Sequence, residues 1–284
     1  MLYYYAYSGH KIGLDRVRRG TAFLKKLKEN GIECQLLLND FRAGLAAKDW
    51  GGKEYVTIET IQDIDAIAMH EDSIIIDSDE DDHGRLVKYC AEFRNVWRFE
   101  HDSSDNSVHG ETLFRVDCKD DTCVDAKIID DMYFEETKKE DRTLFFLNDA
   151  DYDKIILKNE AFFKEFDMEL LLGNYFFVKY ENDLAKLFST LHEPEEYVDL
   201  IKNSSCVVTA SGQTALEAKA SGAKVIFLNI ANNAIYPVEM LHDYGIEIVD
   251  GFDVEQLKGH LQNDSLTDGK SIQKFDEKKI QNKL

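Results

Sequence analysis

The chain has 284 residues, is 44% hydrophobic and carries a formal net charge of −21, which argues against a nucleic-acid-binding face. Its apolar runs, such as Ile74–Ile76 and Val225–Leu228, are far shorter than the roughly 18–20 residues of a membrane span. The start MLYYYAYSGH lacks a basic region before an apolar core, so no secretory signal is expected; the five scattered cysteines (34, 90, 118, 123 and 206) read as free thiols of a cytoplasmic protein.

Strand and helix signals alternate along the chain. Leu2–Tyr7 reads as a strand, and Arg18–Asn30 as a helix closed by Gly31, the residue type favoured just past a helix end. Ile32–Leu38 is a second strand. Ile74–Asp77 is apolar on both faces, as a covered parallel sheet requires. Gly84–Phe93 predicts a helix and Val96–Phe99 a strand. From about Met132 the alternation stops, and EETKKEDR at 135–142 carries charge without apolar periodicity. Leu144–Leu147 then predicts a strand, Tyr152–Phe166 a helix, Leu170–Leu172 a weak strand and Glu181–Leu187 a short helix. Glu193–Lys202 is a helix with Pro194 in its first turn. Val207–Thr209, Val225–Leu228 and Ile246–Val249 read as strands, with helices at Gln213–Ala220 and Pro237–Tyr244. This βαβ series predicts an α/β chain of two Rossmann-like, doubly wound domains facing across a cleft, with the ligand in that cleft. The expected parts are an N-terminal α/β domain at 1–136, a linker at 137–142, a nucleotide-binding-like α/β domain at 143–258 and a loosely docked polar tail at 259–284.

The densest candidate is CVVTASGQTALEAKASGAKVIFLNIANN, residues 206–233. A buried strand ends at Thr209, and Ala210-Ser211-Gly212 leads into a helix at about Gln213. Free backbone N–H groups and the helix dipole make such a turn an anion site. Glu217, one turn in, can accept bonds from neighbouring sugar hydroxyls, as acidic residues do for ribose in dinucleotide folds. The plainer reading has Ser211 as a helix cap and Glu217 as a solvated acid.

This segment resembles the donor-nucleotide segment of GT-B proteins: a Ser/Gly-rich loop, Thr, an acidic residue in a small-residue helix, then Gly and a buried strand. More narrowly, residues 1–250 resemble the UDP-sugar hydrolase of pseudaminic acid synthesis. The resemblance implies a GT-B fold and a UDP-sugar or other nucleotide-sugar ligand; no cofactor is expected, and the charge of −21 speaks against a nucleic-acid partner. It implies that Ser211, Gly212, Gln213 and Thr214 hold diphosphate, that Glu217 holds ribose, and that Asn232 and Asn233 line the sugar side.

In that family the first loop carries Gly-x-Gly-His-x-x-Arg, and the histidine acts as base for an attacking water. YYAYSGHKIGLDRVRRGTAFLKKL, residues 4–27, can be laid on it in two registers. With Gly9-His10 as Gly-His, His10 is the base, but Tyr7 replaces a glycine and Gly13 the arginine. With Gly13 as the first glycine, Arg19 matches the arginine, Asp15 replaces the second glycine and Arg16 the histidine. The second register keeps the helix start and its apolar face together. Arginine, with a pKa above about 12, is no general base near neutral pH, yet it clamps phosphate bidentately. His10 then reads as a turn histidine still bordering the cleft. Asp77, at the carboxyl end of a strand, sits where α/β ligands bind. The candidates are therefore His10 and Asp77 for catalysis and Arg16 and Arg19 for anion binding. Two departures stand out: Asp79 occupies the place of the family's tyrosine, and Asn148-Asp149-Ala150 that of a Gly-Gly-Thr/Ser loop. No His/Asp/Glu spacing supports a metal. Three readings stay open: a UDP-sugar hydrolase of reduced activity, a GT-B glycosyltransferase of surface-polysaccharide or flagellin glycosylation, and a non-catalytic paralogue acting as a binding or assembly partner. An enzyme on another phosphorylated substrate, recognised by Arg16–Arg19, is a further possibility.

Overall fold

Short apolar runs buried on both faces give the chain two parallel sheets. The computed structural model describes residues 1–230, 234–263 and 269–284, so Asn232 and Asn233 lie outside the described residues. The chain divides into two units. The first comprises Met1–Gly9, Arg16–Asp130 and Lys274–Leu284, and the second His10–Asp15 and Asp131–Gln273.

Among the described residues the first unit has seven strands: β1 (Leu2–Ala6), β2 (Cys34–Leu38), β3 (Tyr55–Thr57), β4 (Ser73–Asp77), β5 (Asn95–Phe99), β6 (Thr112–Arg115) and β7 (Cys123–Asp125). Helices α1 (Asp15–Glu29), α2 (Phe41–Asp49) and α3 (Arg85–Glu92) connect them. The order is β3-β2-β1-β4-β5-β6-β7, parallel throughout. Chain order reverses between β1 and β4, the switch point at whose carboxyl edge open α/β sheets bind ligands. All five residues of β4 are buried, and Tyr5, Leu37, Ile74, Ile76 and Tyr89 share one core cluster.

The second unit repeats the plan with β8 (Glu140–Phe146), β9 (Glu169–Leu171), β10 (Leu191–His192), β11 (Ser204–Thr209), β12 (Lys224–Asn229) and β13 (Glu247–Asp250), ordered β10-β9-β8-β11-β12-β13 and parallel. Its helices are α4 (Ile155–Lys158), α5 (Glu160–Phe163), α6 (Val178–Leu184), α7 (Tyr197–Asn203), α8 (Gly212–Ala220), α9 (Val238–Asp243) and α10 (Val254–Gln262). The switch point lies between β8 and β11. Both sheets therefore have Rossmann-like topology, as the βαβ series predicts.

Several local expectations change. The stretch 137–142 supplies the first residues of β8, because its backbone pairs with β11 although its side chains are charged. The single helix expected over Tyr152–Phe166 is two short ones: Lys154 precedes the first with φ +52°, and Asn159 separates them. The sequence beyond 258 is not one loose tail. It completes α10, and residues 274–284, with α11 (Lys278–Gln281), pack on the first unit. Phe275 and Ile280, the buried residues in this polar stretch, are the anchors, and the Phe275 ring lies 5.5 Å from that of Phe23.

Cysteine usage also departs from expectation. Cys118 and Cys123 form a disulfide across the turn before β7, their Cα atoms 5.7 Å apart, a separation that suits a bridge. Cys34, Cys90 and Cys206 are free, and burial pushes all three thiols up to about 11. Alkylation of the denatured, unreduced protein should thus mark three cysteines, and five only after reduction. Five marks without reductant, read by intact mass, would show that the bridge does not form.

Candidate functional site

Strand β11 delivers the chain to the switch point of the second unit and ends at Thr209, whose hydroxyl accepts a bond from the Ser211 N–H at 3.0 Å. Ser211 is extended (φ −91°, ψ 121°) and caps α8: its Oγ accepts from the Thr214 N–H at 3.0 Å, satisfying one of the free donors of the first turn. Gly212 to Ala218 are all buried, so the small residues of α8 serve close packing on every side. A Cβ on Gly212 would meet the Tyr236 ring at 3.2 Å.

At the opening of α8 stands a carboxylate from the same unit. Asp15, 6% exposed, accepts from Ser211 Oγ at 2.6 Å and faces the Gln213 N–H at 3.4 Å. A helix start carries about half a positive charge and binds anions, and here the chain supplies the anion itself. Three hydroxyls then link Asp15 to a second acid. Ser211 Oγ lies 2.7 Å from Thr214 Oγ1, which lies 2.8 Å from the Tyr197 hydroxyl; that hydroxyl donates to Glu217 Oε2 at 2.6 Å. Ser211 donates to Asp15 and Tyr197 to Glu217, so each carboxyl group accepts from a hydroxyl. The Gln213 carboxamide donates to Glu217 Oε1 at 2.8 Å and accepts from the Tyr236 hydroxyl at 3.0 Å. Glu217 is 2% exposed, with both oxygens engaged. The structure thus brings Ser211, Gly212, Gln213, Thr214 and Glu217 together, and the solvated-acid reading of Glu217 does not hold.

Residues Tyr197, Tyr236 and Asp15 complete this network. Sequence reasoning did not place them there, because Tyr197 opens one helix and Tyr236 precedes another, and nothing local joins either to Ser211. Asp15 was visible only as an acid where a glycine belonged. Nearby, Gly13 combines φ +81° with a close approach: a Cβ there would fall 2.1 Å from Asn148 Oδ1. Asp149 is fully buried and accepts from the Asn174 carboxamide at 2.9 Å, so this acid is a packing element of its loop. His10 is exposed, its ring 4.6 Å from that of Tyr175.

The remaining candidates belong to the first unit. Asp77 ends β4 fully buried. Its carboxylate accepts from the Tyr4 hydroxyl at 2.7 Å and from both Nε (2.6 Å) and Nη2 of Arg19. Arg19, 3% exposed, also lies 3.7 Å over the Phe99 ring. Arg16 reaches Asp77 at 3.5 Å and Asp79 at 3.2 Å. Arg16 and Arg19 are therefore turned onto the chain's own acids, and Arg19 makes with Asp77 the bidentate contact expected with a phosphate. Among the described residues no group of three or more His, Cys, Asp or Glu side chains is placed to hold a metal ion, and no helix is long and apolar enough to cross a membrane.

No family model matches the chain, and no curated protein matches it in sequence. Solved structures do share its fold. A UDP-GlcNAc 2-epimerase from Methanocaldococcus jannaschii superposes with TM-score 0.54 at 13% identity, covering 95% of each chain. The Neisseria meningitidis UDP-GlcNAc 2-epimerase bound to UDP-GlcNAc gives 0.51 at 11%, covering 92% of this chain and 90% of its own. A spinosyn rhamnosyltransferase complexed with spinosyn aglycone gives 0.56 at 10%, covering 92% and 89%. The two parallel-sheet α/β units with Rossmann-like topology are thus those of a GT-B-type fold. At such identity the likeness carries the fold alone.

Proposed function

We propose that this protein binds a nucleotide-sugar, specifically a UDP-sugar, with its diphosphate at the start of α8, and that it turns that ligand over weakly or not at all. The observation that carries the reading is the Asp15 carboxylate on Ser211 Oγ and facing the Gln213 N–H: the helix start already receives an anion. Glu217, held one turn further on by Tyr197 and Gln213, is the residue assigned to ribose, whose hydroxyls would have to displace one of these two donors; UDP-sugar epimerases share the fold. Ser211, Gly212, Gln213 and Thr214 would hold the diphosphate once Asp15 withdraws.

The weak turnover follows from the acids and bases. Hydrolysis requires a group that takes a proton from water, a contribution of about 10²–10⁴ in rate. Asp77 is committed to Arg19 and Tyr4, and Arg16 cannot serve as base. Of the candidates named from the sequence, His10 is left, in an exposed turn. Incubation with a panel of UDP-sugars should therefore release no UDP above background. Brisk release that His10→Ala abolishes would make His10 the base and end this part of the proposal.

The closed Asp77–Arg19 pair favours a second reading, a non-catalytic paralogue that keeps the scaffold. Within the proposed class, the Ser-Gly-Gln-Thr turn and Glu217 of α8 support a likeness to the UDP-sugar hydrolase of pseudaminic acid synthesis, from which the first loop departs. A GT-B glycosyltransferase would differ by releasing UDP only when an acceptor is added.

A further inference from the structure

The second unit carries a cavity away from the α8 network, at the carboxyl ends of β8 and β9. Its volume is about 310 Å³, and its walls include His10, Tyr152, Lys154, Tyr175, Phe177 and Tyr180. That volume lies near the lower end of the range for small-molecule pockets, about 300–1,000 Å³, and suits a single ring better than a whole nucleotide. Large rings stand in water at its rim: Tyr152 is 64% exposed and Phe177 54%. Three nitrogen-bearing side chains flank the rings. Lys11 Nζ lies 4.8 Å over Tyr152, Lys154 Nζ 5.9 Å over Tyr180, and the His10 ring packs on Tyr175. The acid in the wall, Asp151, is spent: it accepts from the Tyr180 hydroxyl and from the Ile155 and Ile156 N–H groups at 2.6 and 3.1 Å.

We propose that this cavity is a carbohydrate site holding one pyranose ring, its C–H face on the aromatic walls and its hydroxyls toward water, Lys154 and His10. A pyranose is apolar on its faces and polar at its edge, which matches apolar walls with a wet, nitrogen-bearing rim. A nucleobase also stacks on aromatic rings, but the lining includes no Asn, Gln or Arg to pair with its edge, and uridine is therefore one of the probes. The assignment does not rest on the diphosphate reading, since no residue of the α8 network lines the cavity.

Saturation-transfer NMR on the full chain tests it, with methyl glucoside, N-acetylglucosamine and uridine as separate probes at millimolar concentration. The expected result is saturation of ring C–H protons in at least one sugar, lost in both Tyr152→Ala and Phe177→Ala. Both side chains are more than half exposed, so neither change endangers the fold. UDP calorimetry on the same variants should be unchanged, which keeps this site's outcome apart from that of α8. The proposal is overturned by absence of saturation in both sugars, by saturation that survives both substitutions, or by uridine base protons being saturated instead.

Discussion

Replacing Arg19 by alanine is expected to destabilise the protein by about 3–5 kcal/mol, among the largest effects of any single change. The guanidinium is 3% exposed and makes two bonds to an Asp77 carboxylate that is wholly buried. Removing one partner of a buried pair leaves the other charge uncompensated, and that penalty sets the size of the loss. Tyr4 still donates to Asp77, and Arg16, at 3.5 Å, recovers only part of the attraction. The melting temperature should fall by roughly 10 °C for a chain of this size. Arg19→Met combined with Asp77→Leu should restore most of it, because an apolar pair has no charge to desolvate. The comparison also decides what Arg19 is for. A phosphate clamp would lose ligand affinity and keep its melting temperature. A drop of less than 1 kcal/mol by denaturant unfolding would refute the structural role given to the pair.

The frame of the fold was readable because parallel strands covered on both faces are continuous apolar runs. Ile74–Asp77, Val207–Thr209 and Val225–Leu228 stand out for that reason and lie within β4, β11 and β12. Strands β3, β6, β7 and β10 escaped detection. They have two to four residues each and mix in charged or polar side chains, so neither length nor pattern marks them. The α8 turn was readable for a local reason: Ser before Gly, then Thr, then a buried small-residue helix, is a capping sequence. Its partner was not. Asp15 and Ser211 are 196 residues apart, and nothing local couples them. Arg19 shows the same limit. The helix pattern placed it correctly near the start of α1, but its pairing with Asp77, 58 residues away, changes its meaning from clamp to buried ion pair.

Removing the charge of residue 15 should strengthen UDP binding, in the order Asp15→Gly, then Asp15→Asn, then the natural chain. The Asp15 carboxylate holds the position at the head of α8 that a phosphate oxygen would take, bonded to Ser211 Oγ and facing the Gln213 N–H. A second anion beside it, at about 5 Å in a surroundings of effective dielectric ~20, meets repulsion of about 3 kcal/mol. UDP must therefore displace Asp15 or bear that cost. Glycine removes both charge and bulk, so the gain should reach about tenfold or more in Kd. Asparagine removes the charge but keeps an occupant that can still accept from Ser211, so its gain should be smaller. Without ligand the Asp15→Gly chain should be less stable by about 1–2 kcal/mol, the worth of a partly buried anion at a helix start. UDP at a large excess over Kd should restore that loss by mass action. The two readouts move in opposite directions only if Asp15 acts as a resident anion. Equal calorimetric affinity for all three chains would remove Asp15 from that role. No heat from UDP with Asp15→Gly would remove α8 as the diphosphate site.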